Sequence, residues 1–139
     1  MAKQTPSKEK FRKQFKMLTE KLPRASRNVE FAFGDYGLRS MENGRLTEKQ
    51  LESLRKAVTK EMQRKGSVIK RQFPHTPFTK KPIAVRMGKG KGPVEGHATI
   101  ITAGELIIEL DGVDKEVAVA ALNKGLYKLP FKTKIVSRF

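Results

Sequence analysis

His97-Ala-Thr-Ile-Ile-Thr-Ala-Gly-Glu-Leu-Ile-Ile-Glu-Leu110 is the most strand-like stretch of the chain. Residues 97–102 and 105–110 are runs of β-branched and aliphatic side chains, and Ala103-Gly104 reads as the turn between them. Asp111-Gly112 ends the pair. Downstream, a helix is expected from an N-cap at Asp114 to Tyr127, burying Val117, Ala118, Ala121 and Leu122, with Leu126 one turn further on. Lys128-Leu129-Pro130 stops it. Residues 131–137 then form a final strand with Lys132 and Lys134 facing outward, followed by Arg138.

Upstream lies Pro82-Ile-Ala-Val-Arg-Met-Gly-Lys-Gly-Lys-Gly-Pro-Val-Glu95. Three glycines alternate with two lysines behind Arg86, and apolar residues flank both sides (Ile83 and Val85 before, Val94 after). The stretch reads as a hairpin with its loop at 86–95. Five residues out and five back project such a tip roughly 15 Å at about 3.3 Å per residue. Glycine backbone with cations between its amides suits a phosphate-rich partner, because Lys, Arg and backbone N–H groups all contact phosphate oxygens. A P-loop is excluded, since Lys91 is followed by Gly92-Pro93 and no hydroxyl; a dinucleotide fingerprint lacks its third glycine.

Further upstream, Pro74, Pro77 and Pro82 punctuate a passage carrying Lys80 and Lys81, behind a strand at 67–73 (Val68, Ile69, Phe73) that also holds Lys70 and Arg71. A helix is expected from about Thr47 to Lys65. Thr47 with Gln50 fits a capping box, Leu51, Leu54, Val58 and Met62 make the buried stripe, and Gly66 is the stop. Arg55, Lys56, Lys60, Arg64 and Lys65 cover much of the rest, interrupted by Glu48, Glu52 and Glu61 in i,i+4 fashion. Val29-Glu-Phe-Ala-Phe-Gly34 alternates with period two and reads as a strand; Asp35-Tyr36-Gly37 is a turn, Leu38 to Met41 a second strand holding Arg39, and Glu42-Asn43-Gly44 a turn before Arg45.

Residues 1–28 hold nine Lys and Arg, and Phe11, Phe15, Leu18 and Leu22 fall on one helical stripe among Arg12, Lys13 and Lys16. The segment is read as a basic arm that gains structure on a partner; a disordered tail fits the same residues. Two regions result: a basic arm at 1–28 and a single α+β domain at 29–139, with two helices packed on a mixed sheet and a projecting Gly/Lys-rich hairpin loop.

The net charge is +16 over 139 residues, and it is unevenly placed: residues 1–92 carry 24 Lys and Arg against 8 Asp and Glu, residues 93–139 six of each. Self-repulsion of that size points to a polyanionic partner. The chain has no cysteine, and its two histidines, His75 and His97, show no ligand spacing, so no metal site and no cofactor are expected. No apolar run approaches the roughly 20 residues of a membrane span. Residues 1–27 lack the apolar core of a secretory signal, and Glu9 and Glu20 argue against a mitochondrial presequence. No acid/base couple stands out, and a nuclease built on the histidines is disfavoured. With no regular base-stacking aromatics and no helix-turn-helix, recognition by phosphate, sugar and shape fits RNA better than sequence-specific DNA.

Residues 81–95 closely resemble the signature of the universal L-sixteen/L-ten-e family of large-subunit ribosomal proteins, in its bacterial type. Matches run in register at Phe33-Gly-Asp-Tyr-Gly-Leu-Arg39, Gly44-Arg-Leu-Thr47, Phe73-Pro74, Gly104, Glu109-Leu-Asp-Gly-Val113 and Lys128-Leu-Pro-Phe-Lys-Thr-Lys134, so the resemblance spans about 29–139. It implies a non-enzymatic constituent of the large subunit that packs on rRNA beside the aminoacyl-tRNA site and joins late in assembly. Arg86, Met87, Gly88, Lys89, Gly90, Lys91 and Gly92 would face rRNA and the aminoacyl-site tRNA. Arg12, Lys13, Lys16, Arg39, Arg45, Arg55, Lys56, Lys70, Arg71, Lys80, Lys81, Lys132 and Lys134 would hold rRNA, with neighbouring ribosomal proteins as further partners and no membrane. An RNA chaperone or assembly factor is the alternative. Lys10-Phe-Arg-Lys13 looks like a family remnant, whereas Met17 to Pro23 does not, and Gly96-His97 replaces an aromatic often found after the hairpin. That drift favours the mitochondrial matrix over the bacterial cytoplasm.

Overall fold

The computed structural model describes residue 6, residues 10–16 and residues 18–139. In chain order it contains β1 (Tyr36–Ser40), β2 (Gly44–Thr47), α1 (Glu48–Glu61), β3 (Ser67–Lys70), β4 (Thr76–Thr79), β5 (Val94–Ile101), β6 (Leu106–Asp111), α2 (Lys115–Leu126) and β7 (Thr133–Ser137). The class is α+β, as expected. The strands, however, form two antiparallel sheets rather than one mixed sheet: β3-β6-β1-β7 and β2-β5-β4. The turn at Ala103-Gly104 is present, yet it does not join a pair. It hands the chain from β5 in one sheet to β6 in the other.

β6 is buried from Leu106 through Leu110, as befits a central strand covered on both faces. Its aliphatic residues join Leu38, Leu46, Ile101 and the inner faces of both helices in one core. α1 begins with the expected capping box, Thr47 accepting from the Gln50 N–H while Gln50 accepts from the Thr47 N–H, and its stripe Leu51, Leu54 and Val58 is buried. Met62 follows in the core, but the helix ends at Glu61 because Gln63 and Arg64 turn into left-handed backbone at φ 51° and 63°. α2 packs directly on α1 at Gly125, where a Cβ would sit 2.8 Å from Leu54 Cδ1 and 3.0 Å from Val58 Cγ2. Ala118, Ala121 and Leu122 are buried as expected; Val117 is 38% exposed and does not belong to that face.

Residues 29–34 are not a strand. Their period-two pattern is real, but the N–H groups of Ala32, Phe33 and Gly34 all donate to the carboxylate of Glu109 (3.3, 2.9 and 2.8 Å), so a buried side chain takes the place of a neighbouring strand. The ladder is deferred to Tyr36–Ser40, which removes the expected turn at 35–37 and makes β1 the strand between β6 and β7. β2 replaces the expected turn-to-helix passage, pairing Gly44–Thr47 with 98–101. β4 forms despite Pro77, because it lies at the edge of its sheet, where a missing N–H is tolerated. β3 stops at Lys70, short of Phe73.

Among the described residues the helical stripe expected in the arm does not form. Residues 10–16 lie outside any helix, Thr19–Lys21 makes one 3-10 turn, and Phe11, Phe15 and Leu18 are exposed. Three exposed apolar anchors with no surface to cover do not sustain so short a helix. Lys8, Glu9 and Met17 lie outside the described residues.

Candidate nucleic-acid interface

The loop stands on the hairpin formed by β4 and β5, whose antiparallel pairing runs from Thr76↔Ala98 to Thr79↔Val94 and is extended by the Lys80 N–H bonded to the Pro93 carbonyl at 3.2 Å. The expected flank at Ile83 and Val85 does not pair: residues 82–91 are exposed throughout, Ile83 at 95% and Met87 at 92%. Ala84, Gly88, Lys89 and Gly90 all have positive φ, a sequence of reversals that curls the loop without a ladder. A Cβ at Gly88 or Gly90 would meet nothing within 4 Å, so these glycines serve backbone shape rather than internal packing. Gly92 differs, since a Cβ there would lie 2.9 Å from the Lys80 carbonyl oxygen at the loop's base. Lys81 Nζ reaches across to the Gly88 carbonyl.

Among the residues assigned to rRNA, the fold separates two groups. Arg12, Lys13, Lys16, Lys56, Lys80, Lys132 and Lys134 are exposed, as are Arg86, Lys89 and Lys91 of the loop. Arg39, Arg45, Arg55, Lys70, Arg71 and Lys81 are partly buried. Five of these six are engaged by protein, Lys81 through the Gly88 carbonyl. Arg71 Nη1 donates to Glu109, and its guanidinium lies 5.6 Å from the centroid of Phe33; Arg39 donates to the Val29 carbonyl at 2.8 Å; Arg55 forms a bidentate pair with Glu52, which Lys70 also approaches at 4.0 Å. The Glu52 hydrogen bond pushes the Arg55 guanidinium up from its ordinary value. Arg71 in particular serves the fold. It closes the ring around Glu109, a carboxylate with no solvent exposure. Burial pushes Glu109 up, but the N–H groups of Gly34, Phe33 and Ala32 and the Arg71 charge outweigh it and hold the carboxyl below its ordinary value.

Two features add to the sequence reading. Arg55 and Lys56, expected to hold rRNA, line an open groove along the outer face of α1 with Lys60 and Arg64, which the sequence places on the same helix surface, and with Thr59 and Gln63. The spacing Lys56, Lys60, Arg64 signals such a row, though Glu52 and Glu61 nearby make it resemble a salt-bridged surface. The second is contact between arm and loop: Lys13 Nζ donates to the Lys91 carbonyl at 3.0 Å, and Lys91 Nζ donates to the Gln14 carbonyl at 2.5 Å. No local pattern announces a meeting of such distant segments.

The arrangement offers cations, bare amides and no catalytic constellation among the described residues. Cations and backbone N–H groups of this kind are the chemistry that contacts phosphate oxygens. Comparison with known proteins gives the same direction. Residues 6–136 match the family described as Ribosomal protein L16p/L10e. Similar proteins include large ribosomal subunit protein uL16 of Psychrobacter cryohalolentis, 45% identical over 133 residues that cover 96% of either chain. That of Parabacteroides distasonis is 47% identical over 133 residues, covering 96% of this chain and 91% of the relative. That of Hyphomonas neptunium is 44% identical over 133 residues, covering 96% and 95%. A match along nearly the whole chain at this identity settles membership: the protein belongs to the L16p/L10e family of ribosomal proteins, which are not enzymes.

Proposed function

We propose that the chain is a structural constituent of the large ribosomal subunit, bound to large-subunit rRNA, and that residues 86–92 reach the aminoacyl-tRNA site. The observation that carries this reading is the loop: glycines at positive φ with open space around them, interleaved with exposed cations, on a rigid two-stranded base. Such a loop holds no core together, so its backbone shape is of use only to a partner that lies outside the chain. Exposed Lys132 and Lys134 and the α1 groove supply further phosphate contacts, and the near-neutral residues 93–139 suit neighbouring ribosomal proteins. Late assembly follows from the same economy, since the loop needs folded rRNA to order it. The relatives named above are bacterial, so the mitochondrial matrix expected from sequence drift finds no support in them; the bacterial cytoplasm is the reading adopted.

The test is sedimentation of lysates through sucrose gradients, with and without a high-salt wash. A structural constituent co-migrates with mature large subunits after the wash. Restriction to precursor particles would replace this reading by a transient RNA chaperone or assembly factor.

A further inference from the structure

We infer that the arm and the loop together form a stacking site for an unpaired RNA base, with Phe15 as the platform and Lys13 and Lys91 as phosphate contacts. The inference rests on the RNA-binding reading above and adds a base contact to it.

Phe15 is 94% exposed, an unfavourable position for a phenyl ring that covers no apolar surface. It is nonetheless held in place. Lys91 Nζ donates to the carbonyl of Gln14, next to it in the chain, and the same ammonium stands 5.5 Å from the Phe15 centroid. Lys13 returns a hydrogen bond to the Lys91 carbonyl, so two segments are cross-linked by two cations across 77 and 78 positions. A cation can occupy only one face of a ring. The other face of Phe15 is left to solvent, on a segment that the ammoniums of Lys13 and Lys91 tie to the loop. Phe11 repeats the pattern, 69% exposed with Lys10 Nζ at 5.6 Å.

A phosphate on the ammoniums with its base against the free ring satisfies all of these groups at once. Proteins that hold unpaired strands combine a cationic track with aromatic platforms in this way. A duplex cannot use the ring, because its bases are already stacked on one another, so the ligand is an unpaired nucleotide. The sequence pattern shows no regular aromatics of this kind, since the platform exists only where the fold joins positions 15 and 91.

The chain contains no tryptophan, so Phe15→Trp provides a single fluorescent reporter. The full chain, Phe15→Leu and Phe15→Trp are titrated over a range of salt with an unstructured single-stranded RNA 12-mer and with a fully paired RNA duplex of the same length. Phe15→Leu keeps apolar bulk but removes the π face. It should bind the single strand about 5- to 150-fold more weakly, the loss of one base–aromatic stack. Its salt slope and its affinity for the duplex should be unchanged. Phe15→Trp should keep single-strand affinity, and its fluorescence should be quenched on binding. If Phe15→Leu binds the single strand like the parent or loses both RNAs equally, or if the tryptophan is not quenched, the ring only anchors the arm and the stacking site is overturned while the charge reading stands. If the parent shows no salt-dependent binding to either RNA, the RNA-binding reading itself falls.

Discussion

Two of the stretches without regular secondary structure are solved in opposite ways. At 32–34 the backbone donors are turned inward onto Glu109, and Arg71 completes the ring. At 82–91 every residue is exposed, and Gly88 and Gly90 have open space around them. Irregular backbone must find partners for its polar groups. The first stretch finds them within the fold; the second makes a few contacts, Lys81 to the Gly88 carbonyl and Lys91 to the arm, and leaves Arg86 and Lys89 exposed to solvent. The same contrast divides the basic residues. Arg71 and Arg39 are arginines of the fold, whereas Arg86 and Lys89 are cations of the surface.

The sharpest way to break this comparison is Glu109→Ala. It strips the acceptor from three N–H groups and leaves Arg71 without its partner. Chemical denaturation should show a loss of about 3–5 kcal/mol, the usual cost of breaking a buried pair. The loop variant Arg86→Ala/Lys89→Ala/Lys91→Ala should stay within about 0.5 kcal/mol of the parent by the same measurement. If the loop variant were the less stable of the two, the assignment of inner and outer roles would be reversed.

Between these lies the helix contact. Gly125→Ala pushes a methyl into Leu54 and Val58 and should cost about 1–3 kcal/mol, read from the same denaturation curves. Gly88→Ala, also a glycine but at φ 94° in open space, meets no neighbour, so its cost should be backbone strain alone, about 1–2 kcal/mol at most, while RNA binding weakens.

Acid sharpens the comparison further. Because the Glu109 carboxyl is held low in the folded state, its contribution is fully present above the unfolded value of about 4.3 and is lost as pH falls through the lower folded value. Melting temperature should therefore drop on acidification below about pH 4, and Glu109→Gln should flatten that part of the profile. The smallest effect concerns salt. Removing Arg86, Lys89 and Lys91 should reduce the log–log salt slope of rRNA binding by about 2–3, at roughly 0.7–0.9 per phosphate.

What was legible in the chain was whatever is encoded locally. The capping box at Thr47 and Gln50, the stripe Leu51, Leu54 and Val58, the small residues of α2 and the strand character of 97–102 and 105–110, found as Val94–Ile101 and Leu106–Asp111, depend on neighbours within a few residues. The glycine and lysine loop was legible because its composition has few other uses. Distant pairing was not. The period-two pattern at 29–34 is the same whether a strand or a carboxylate 75 residues away receives its N–H groups. β2 is too short and too polar to announce itself, and only Leu46 in it is buried. The division of β5 and β6 between two sheets leaves no mark on the turn that joins them. For the candidate site, sequence marked the cations but could not tell the committed from the free. That distinction depends on Glu109, Glu52 and the Val29 carbonyl, which the fold alone brings within reach.

The central claim is that the loop is left open for an RNA partner, and amide hydrogen exchange of residues 80–93 tests it most directly. The exchange is measured in the free chain and in the chain bound to large-subunit rRNA. The expected result is rapid exchange of the loop in the free chain, against strong protection at β6, and marked slowing on the rRNA. A loop already protected when free, or one that exchanges as fast when bound, would contradict the account.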